Sequence, residues 1–267
     1  MNVIIITGAS SGMGREFACQ LDQGLKSIDE FWLIARRGER LRELSGRLQH
    51  KTRVFAMDLT DSIQLDTFQR TLERERPVIR MLINSSGYGV MGNVADLETE
   101  EQLGMIDLNC RALTHMTRIC LPFMRRRSRI IQLASSAAFL PQPGFAVYAA
   151  GKSYVLSFSR ALGEELREKG IFVTAVCPGP VRTEFFERAE KKASTLAIKK
   201  YVMADAKAVV ENALQASARG RSVAVYSLPI RAFAVLTKLL PHSLLLRAMR
   251  LLKRRQTGGE SSGKDFN

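Results

Sequence analysis

Seven short apolar runs punctuate this chain: VIIIT (3–7), FWLIA (31–35), VFAM (54–57), MLI (81–83), RIIQLA (129–134), FVTAV (172–176) and SVAVY (222–226). A strand with one wet face alternates apolar and polar residues. Runs that are apolar almost throughout belong instead to strands buried on both faces. The segments between them carry helical periodicity. In TEEQLGMIDLNCRALTHMTRIC (99–120), Leu103, Ile106, Cys110, Leu113 and Cys120 fall on one stripe, and Thr99 with Gln102 has capping-box spacing. Strand and helix that alternate about seven times predict an α/β chain: a doubly wound parallel seven-stranded sheet, a Rossmann fold, with helices on both faces. No repeat or linker divides residues 1–229, which are expected to form one domain, followed by a basic helical segment (230–255) and a Gly/Ser-rich disordered tail (256–267).

Composition narrows the function. A chain of 267 residues that is 46% hydrophobic can bury a substantial core. Its apolar runs stop short of the roughly 20 residues of a membrane span, and it opens directly on NVIIITG without a basic leader, so it reads as cytoplasmic. The four cysteines lack CxxC spacing, so neither a metal site nor a disulfide framework is expected. A net charge of +14 would suit an acidic partner, but no aromatic-interleaved basic patch points to nucleic acid. Much of the excess is local, because residues 221–255 contain no Asp or Glu.

Directly after the first strand comes TGASSGMG (7–14), leading into a helix. Gly8, Gly12 and Gly14, with Ser10, Ser11 and Met13 between them, allow a tight turn and close backbone approach to a diphosphate at a helix N-terminus. At the end of the second strand, where an acid would hold a ribose 2′-hydroxyl, the chain reads LIARRGER; Arg36 and Arg37 suit a 2′-phosphate and predict NADP(H). Further on, Tyr148 and Lys152 in YAAGK share a helix face, with Ser135 thirteen residues upstream of Tyr148 at the end of the fifth strand.

In this ordered set the chain resembles the short-chain dehydrogenase/reductase family, over nearly its whole length to about residue 226. The matching pieces are TGASSGMG, Asp58 after the third strand, NSSG (84–87), Asn109, Ser135, Tyr148, Lys152 and CPGPVRT (177–183). The resemblance implies an oxidoreductase in which Tyr148 is the general acid and base, Ser135 holds the substrate oxygen and Asn109 anchors a water-mediated proton path. An adjacent Lys152 ammonium is expected to lower the phenol's pKa while binding the nicotinamide ribose. Asp58 and Leu59 would meet the adenine, Asn84 and Gly87 would back the cofactor, and Pro178, Gly179, Val181 and Thr183 would hold the carboxamide side. Two departures from the family pattern stand out, Ser85-Ser86 for the usual Asn-Ala and Ser136 beside Ser135; Ser136 is one residue too close to Tyr148 for the catalytic role.

By the same resemblance, residues 184–205 form the substrate loop, a lid over the reaction. Phe139, Phe145, Phe185 and Phe186, with Val90 and Met91, are apolar candidates for the pocket wall, although aromatics at such positions are more often core. An apolar wall suits a bulky steroid- or lipid-like ketone or secondary alcohol. Reduction of 3-oxoacyl groups on a carrier protein and cofactor sensing without turnover are the competing readings. In the basic C-terminal segment, Leu245, Ala248, Met249 and Leu252 oppose Arg247, Arg250 and Arg254; the stripe fits peripheral contact with an anionic membrane, or packing over the cleft or a neighbouring subunit. The family resemblance further implies a homodimer or homotetramer joined through the helices that bear Asn109 and Tyr148.

Overall fold

A computed structural model describes residues 1–25, 27–189 and 203–258, with no account of the side chains of 186–188 and 251–258. Its strands are β1 (Asn2–Thr7), β2 (Glu30–Ala35), β3 (Lys51–Ala56), β4 (Val78–Asn84), β5 (Met124–Leu133), β6 (Phe172–Val176) and β7 (Val223–Ala224). All pair in parallel, in the order β3-β2-β1-β4-β5-β6-β7. Chain direction across the sheet reverses between β1 and β4. Ligand crevices of doubly wound sheets open at that point, beyond the carboxyl ends of the strands.

The helices are α1 (Gly12–Gly24), α2 (Gly38–Ser45), α3 (Ser62–Glu75), α4 (Thr99–Ile106), α5 (Leu113–Cys120), α6 (Ala146–Glu165), α7 (Glu184–Ala189), α8 (Ala206–Ala218), α9 (Leu228–Leu239) and α10 (His242–Gly258). β1 shows why its run is unbroken. Ile4 and Ile6 pack on one face with Phe17, Leu21 and Val210 of α1 and α8, while Val3 and Ile5 pack on the other with Phe68, Met116 and Leu162 of α3, α5 and α6. All four are fully buried, worth roughly 2 kcal/mol each. A charge at any of them would have no wet face to reach.

The long helical segment departs from its sequence reading. Thr99 is not a capping residue: Glu98 holds the N-cap position without a side-chain bond, and Gln102 Nε2 reaches back to the Val94 and Leu97 carbonyls at 2.9 and 3.0 Å. The single apolar stripe is broken as well. One π-helical stretch, Asp107–Ala112, joins α4 to α5 and shifts the phase, so Leu103 and Ile106 are exposed whereas Met105, Asn109, Leu113 and Met116 are buried. Such bulges rotate a residue that a regular helix would point elsewhere. Here that residue is Asn109.

At the C-terminal side the basic segment forms two helices. Leu240 takes the extended backbone favoured before a proline, at φ −104° and ψ 141°, and Pro241 separates α9 from α10. The end of the expected tail, from 259, and residues 190–202 of the expected substrate loop lie outside the described residues.

Candidate active site

The carboxyl ends of the strands border one cleft of about 850 Å³. Its dinucleotide end is shaped by backbone. Gly8 has φ +68°, and a Cβ there would sit 2.9 Å from Ser86 N and 3.0 Å from Ser85 O; a Cβ on Gly14 would overlap the Gly8 carbonyl. Thr7 Oγ1 fastens the two loops by accepting from Ser85 N at 3.0 Å and Ser86 N at 3.1 Å. Ser11, the N-cap residue of α1, makes no side-chain bond to the first turn. The leading N–H groups of α1 therefore retain their capacity for an anion, and the cradle that side chains would fill matches a dinucleotide diphosphate.

Beyond β2, Arg37 donates from Nη2 to Ser11 Oγ at 2.9 Å and from Nη1 to Glu184 Oε2 at 2.9 Å. Arg40 donates to the other oxygen of the same carboxylate at 2.5 Å. Hydrogen bonds from Arg37 and Arg40 hold Glu184 below the usual carboxylate range. Arg36 lies 3.8 Å from Asp58 Oδ2, while Asp58 Oδ1 accepts from the backbone and hydroxyl of Thr60.

The reacting end is built from side chains. Ser135 begins a short turn after β5, accepting from Ala137 N at 3.1 Å, and its hydroxyl is near enough to Tyr148 to draw the phenol's pKa down in part. The adjacent Ser136 instead donates its backbone N–H to Pro178 O at 2.8 Å, tying this turn to the one after β6. Tyr148 stacks on Phe145 with ring centroids 4.2 Å apart and meets Phe185 at 5.5 Å. One helical turn on, buried Lys152 donates to Leu133 O at 2.6 Å and lies 5.6 Å from the Tyr148 ring centre. Asn109, carried inward by the π-helical stretch, clamps the backbone of Tyr88: Oδ1 accepts from Tyr88 N at 3.0 Å and Nδ2 donates to Tyr88 O at 2.8 Å.

Burial sets the charges here. It pushes the Lys152 ammonium down to about 8, and it pushes the Tyr148 phenol well above its ordinary value, the Ser135 hydroxyl only partly opposing it. The expected lowering of Tyr148 by Lys152 is therefore corrected. The ammonium is aimed at a carbonyl, and desolvation outweighs its field.

Most residues singled out from the sequence line the cleft: Gly8, Ser10, Ser11, Gly12, Met13, Arg36, Arg37, Asp58, Leu59, Gly87, Ser135, Tyr148, Lys152, Pro178, Gly179, Val181 and Thr183. Gly14 and Asn109 lie one layer behind and act through backbone fit and the Tyr88 clamp. Asn84 does not reach the cleft. Its Nδ2 donates to Thr117 Oγ1 and Gln132 Oε1 at 3.1 and 2.9 Å inside the sheet, a position its register opposite Gln132 dictates. Of the aromatics, Phe145 and Phe185 border the cleft with Met91, whereas Phe139 packs on Leu113 and Val155 in the core and Val90 is buried behind the wall. The Phe186 side chain lies outside the described residues. Glu184 and Gln142 also line the cleft and were not foreseen. Nothing local marks Glu184, since its arginine partner is 147 residues away in sequence.

A parallel sheet with a glycine cradle at its switch point and a Ser-Tyr-Lys group across the cleft defines an oxidoreductase of the nucleotide-binding α/β class. Comparison with known proteins specifies it further. Residues 2–194 match the family described as short chain dehydrogenase, and the chain belongs to that family of CH–OH oxidoreductases, whose members use NAD(H) or NADP(H). An uncharacterized oxidoreductase from Staphylococcus epidermidis is 32% identical over 203 residues, 73% of this chain and 87% of the relative. Sulfoacetaldehyde reductase 2 from Chromohalobacter salexigens is 33% identical over 191 residues, 69% of this chain and 74% of that protein. Among solved structures, a short-chain dehydrogenase from Sphingobium yanoikuyae in complex with NADPH superposes with a TM-score of 0.75 at 28% identity, covering 100% of this chain and 98% of the other.

Proposed function

We propose that this oxidoreductase uses NADP(H) to interconvert a ketone and a secondary alcohol on a bulky hydrophobic substrate. The observation that carries the reading is the placement of Tyr148: it shares the cleft with Ser135 on the polar side and is set against Phe145 and Phe185 on the apolar side. A bound dinucleotide supplies or accepts the hydride at this site. The chain's own residues handle orientation and the proton. Ser135 holds the substrate oxygen beside the Tyr148 hydroxyl. Tyr148, kept protonated by burial, donates its proton to the carbonyl oxygen in reduction, and in the reverse direction its phenolate takes the proton of the hydroxyl. Lys152 lies behind it to hold the cofactor ribose and relay protons, and Asn109 keeps the Tyr88 backbone fixed at the start of that path. Arg36 and Arg37 are the cations that favour a 2′-phosphate, a preference supported by the lack of any acid at the end of β2.

The test is oxidation of NADPH with ketosteroids, long-chain ketones, 3-oxoacyl thioesters and small polar aldehydes, beside a Tyr148→Phe control. Turnover of bulky ketones that vanishes in the control is expected. Preference for sulfonated or other small polar aldehydes, as the name of the Chromohalobacter relative suggests for that protein, would overturn the substrate class while leaving the chemistry intact. Tight NADPH binding without turnover on the whole panel would turn the reading to a cofactor sensor.

The surface supports two further parts of this reading. Exposed Ile106 and Tyr154 flank a groove between the 106–118 helical segment and α6, suited to a homodimer or homotetramer; Ile106→Asp should shift the mass seen in light scattering. Among the described residues no helix is long and apolar enough to cross a membrane. The outward face of α9, however, exposes Leu228, Val235 and Leu239 beside Arg231 and Lys238, while Ile230 on its inward side packs on Gly179 of the cleft. That arrangement favours peripheral contact with an anionic bilayer. Sedimentation with phosphatidylserine vesicles that is unchanged by Val235→Asp with Leu239→Asp would refute it.

A further inference from the structure

The acidic residue at the dinucleotide end is the feature the catalytic reading leaves unused. We infer that Glu184 is a specificity-setting residue, a built-in anion that occupies Arg37, a cation of the 2′-phosphate position, together with the neighbouring Arg40, and limits the preference for the 2′-phosphorylated dinucleotide over the one with a free 2′-hydroxyl. This rests on the assignment of Arg37 to the 2′-phosphate.

Three observations support it. Each oxygen of the Glu184 carboxylate takes a different arginine, Oε2 from Arg37 and Oε1 from Arg40, so the pair is already neutralised in part before any cofactor arrives. Arg37 is also held from the opposite side by Ser11 and Ser10 of the glycine loop. Its guanidinium is thus fixed at the edge of the cradle where a dinucleotide must pass. Finally, Glu184 opens α7 and directly follows Thr183, which borders the same cleft.

The electrostatics give the effect its sign. A ribose 2′-phosphate is an anion and must compete with the carboxylate for the same guanidinium fork, whereas a ribose hydroxyl can donate to a carboxylate and needs no displacement. Glu184 should therefore burden NADPH and spare NADH. Because all three side chains are nearly half exposed, the ion pairs are weak enough to exchange and the burden is modest. The exchange has a structural corollary, since a phosphate that takes Arg37 leaves Arg40 alone to hold the first residue of α7, the helix that carries Phe185 to the substrate wall.

Calorimetric titration of the full chain with NADPH, NADH, 2′,5′-ADP and 5′-ADP tests this without turnover. Glu184→Gln, close in shape to the original, is expected to tighten NADPH and 2′,5′-ADP about fivefold and to leave NADH and 5′-ADP within about twofold. Arg37→Ile is the companion and should weaken only the two ligands that carry a 2′-phosphate, NADPH and 2′,5′-ADP. If Arg37→Ile behaves so and Glu184→Gln tightens neither, or shifts all four equally, the role of Glu184 is refuted and the cofactor assignment stands. If Arg37→Ile has no selective effect, both fall.

Discussion

The two ends of the cleft hold their shape by different means. At the dinucleotide end the positioning atoms are backbone, and the constraint is the absence of side chains at Gly8 and Gly14. At the reacting end the positioning atoms are side chains buried at a cost, with Lys152 discharged toward a pKa of about 8 and Tyr148 pressed between aromatics. The difference teaches where function is separable. A side chain can be removed from the second end without dismantling the first, but a methyl group added at the first end disturbs the frame on which both stand.

The sharpest separation is expected from Tyr148→Phe. The phenyl ring keeps the stack on Phe145 and loses only the proton, so turnover should fall by ~10³-fold or more, at the upper part of the range for a lost acid or base. NADPH affinity by calorimetry should stay within about twofold. A matching loss of affinity would show that the two ends are one unit.

Gly8→Ala approaches the comparison from the other side. The added Cβ would press on the Ser85-Ser86 backbone at a φ of +68°, which costs on the order of 1 to 3 kcal/mol in strain alone. Both NADPH affinity and melting temperature should drop, with turnover at saturating cofactor falling much less than in Tyr148→Phe.

This contrast also explains what could be read from the chain. Glycines forced by close backbone approach, and β-branched runs forced by burial on two faces, leave marks at fixed spacings; the seven strands and the loop after β1 were therefore legible within a few residues. Ser135, Tyr148 and Lys152 were legible as residue types in order. Directions of side chains were less so. Asn84 turns into the sheet because its register faces Gln132 and Phe139 turns to the core, each decided by a neighbour distant in sequence, while the π-helical stretch breaks the phase of the stripe that Leu103 and Ile106 begin. The same holds for the raised phenol of Tyr148, since desolvation is a property of the packed state.

Stability against pH should carry the mark of both halves of the molecule, rising with pH in two separate windows. On the dinucleotide half, burial pushes the Asp22 carboxyl up, but hydrogen bonds from the Gln49 and His50 backbones and the His50 ring together leave it below its ordinary value. That contribution is present above the ordinary carboxyl pKa and is lost as pH falls through the folded one. At the reacting end, the unfolded chain keeps Lys152 charged up to its ordinary 10.5 while the folded chain releases the proton near 8. Between those values the unfolded state holds more protons, so stability rises with pH. Urea titrations should show wild type gaining ~2 kcal/mol on Lys152→Met between pH 7.5 and 10, and losing its advantage over Asp22→Asn below about pH 4. A flat difference for Lys152→Met would mean that water reaches the ammonium.

The smallest effect concerns the substrate wall itself. Phe145→Leu keeps an apolar residue at the start of α6 but removes the ring face that lies 4.2 Å from Tyr148. Stacked aromatic pairs are worth about 1 kcal/mol beyond their buried area, so KM for a bulky ketone should rise about fivefold while KM for NADPH stays level. If the ring serves only as wall, kcat is unchanged. If it also fixes the phenol against Ser135, kcat falls along with the affinity, and the alkaline limb of the pH–rate profile moves, because the packing that desolvates Tyr148 has been loosened. The second outcome would join wall and acid into one device, and would place the boundary between separable and inseparable function between Ser135 and the glycine loop.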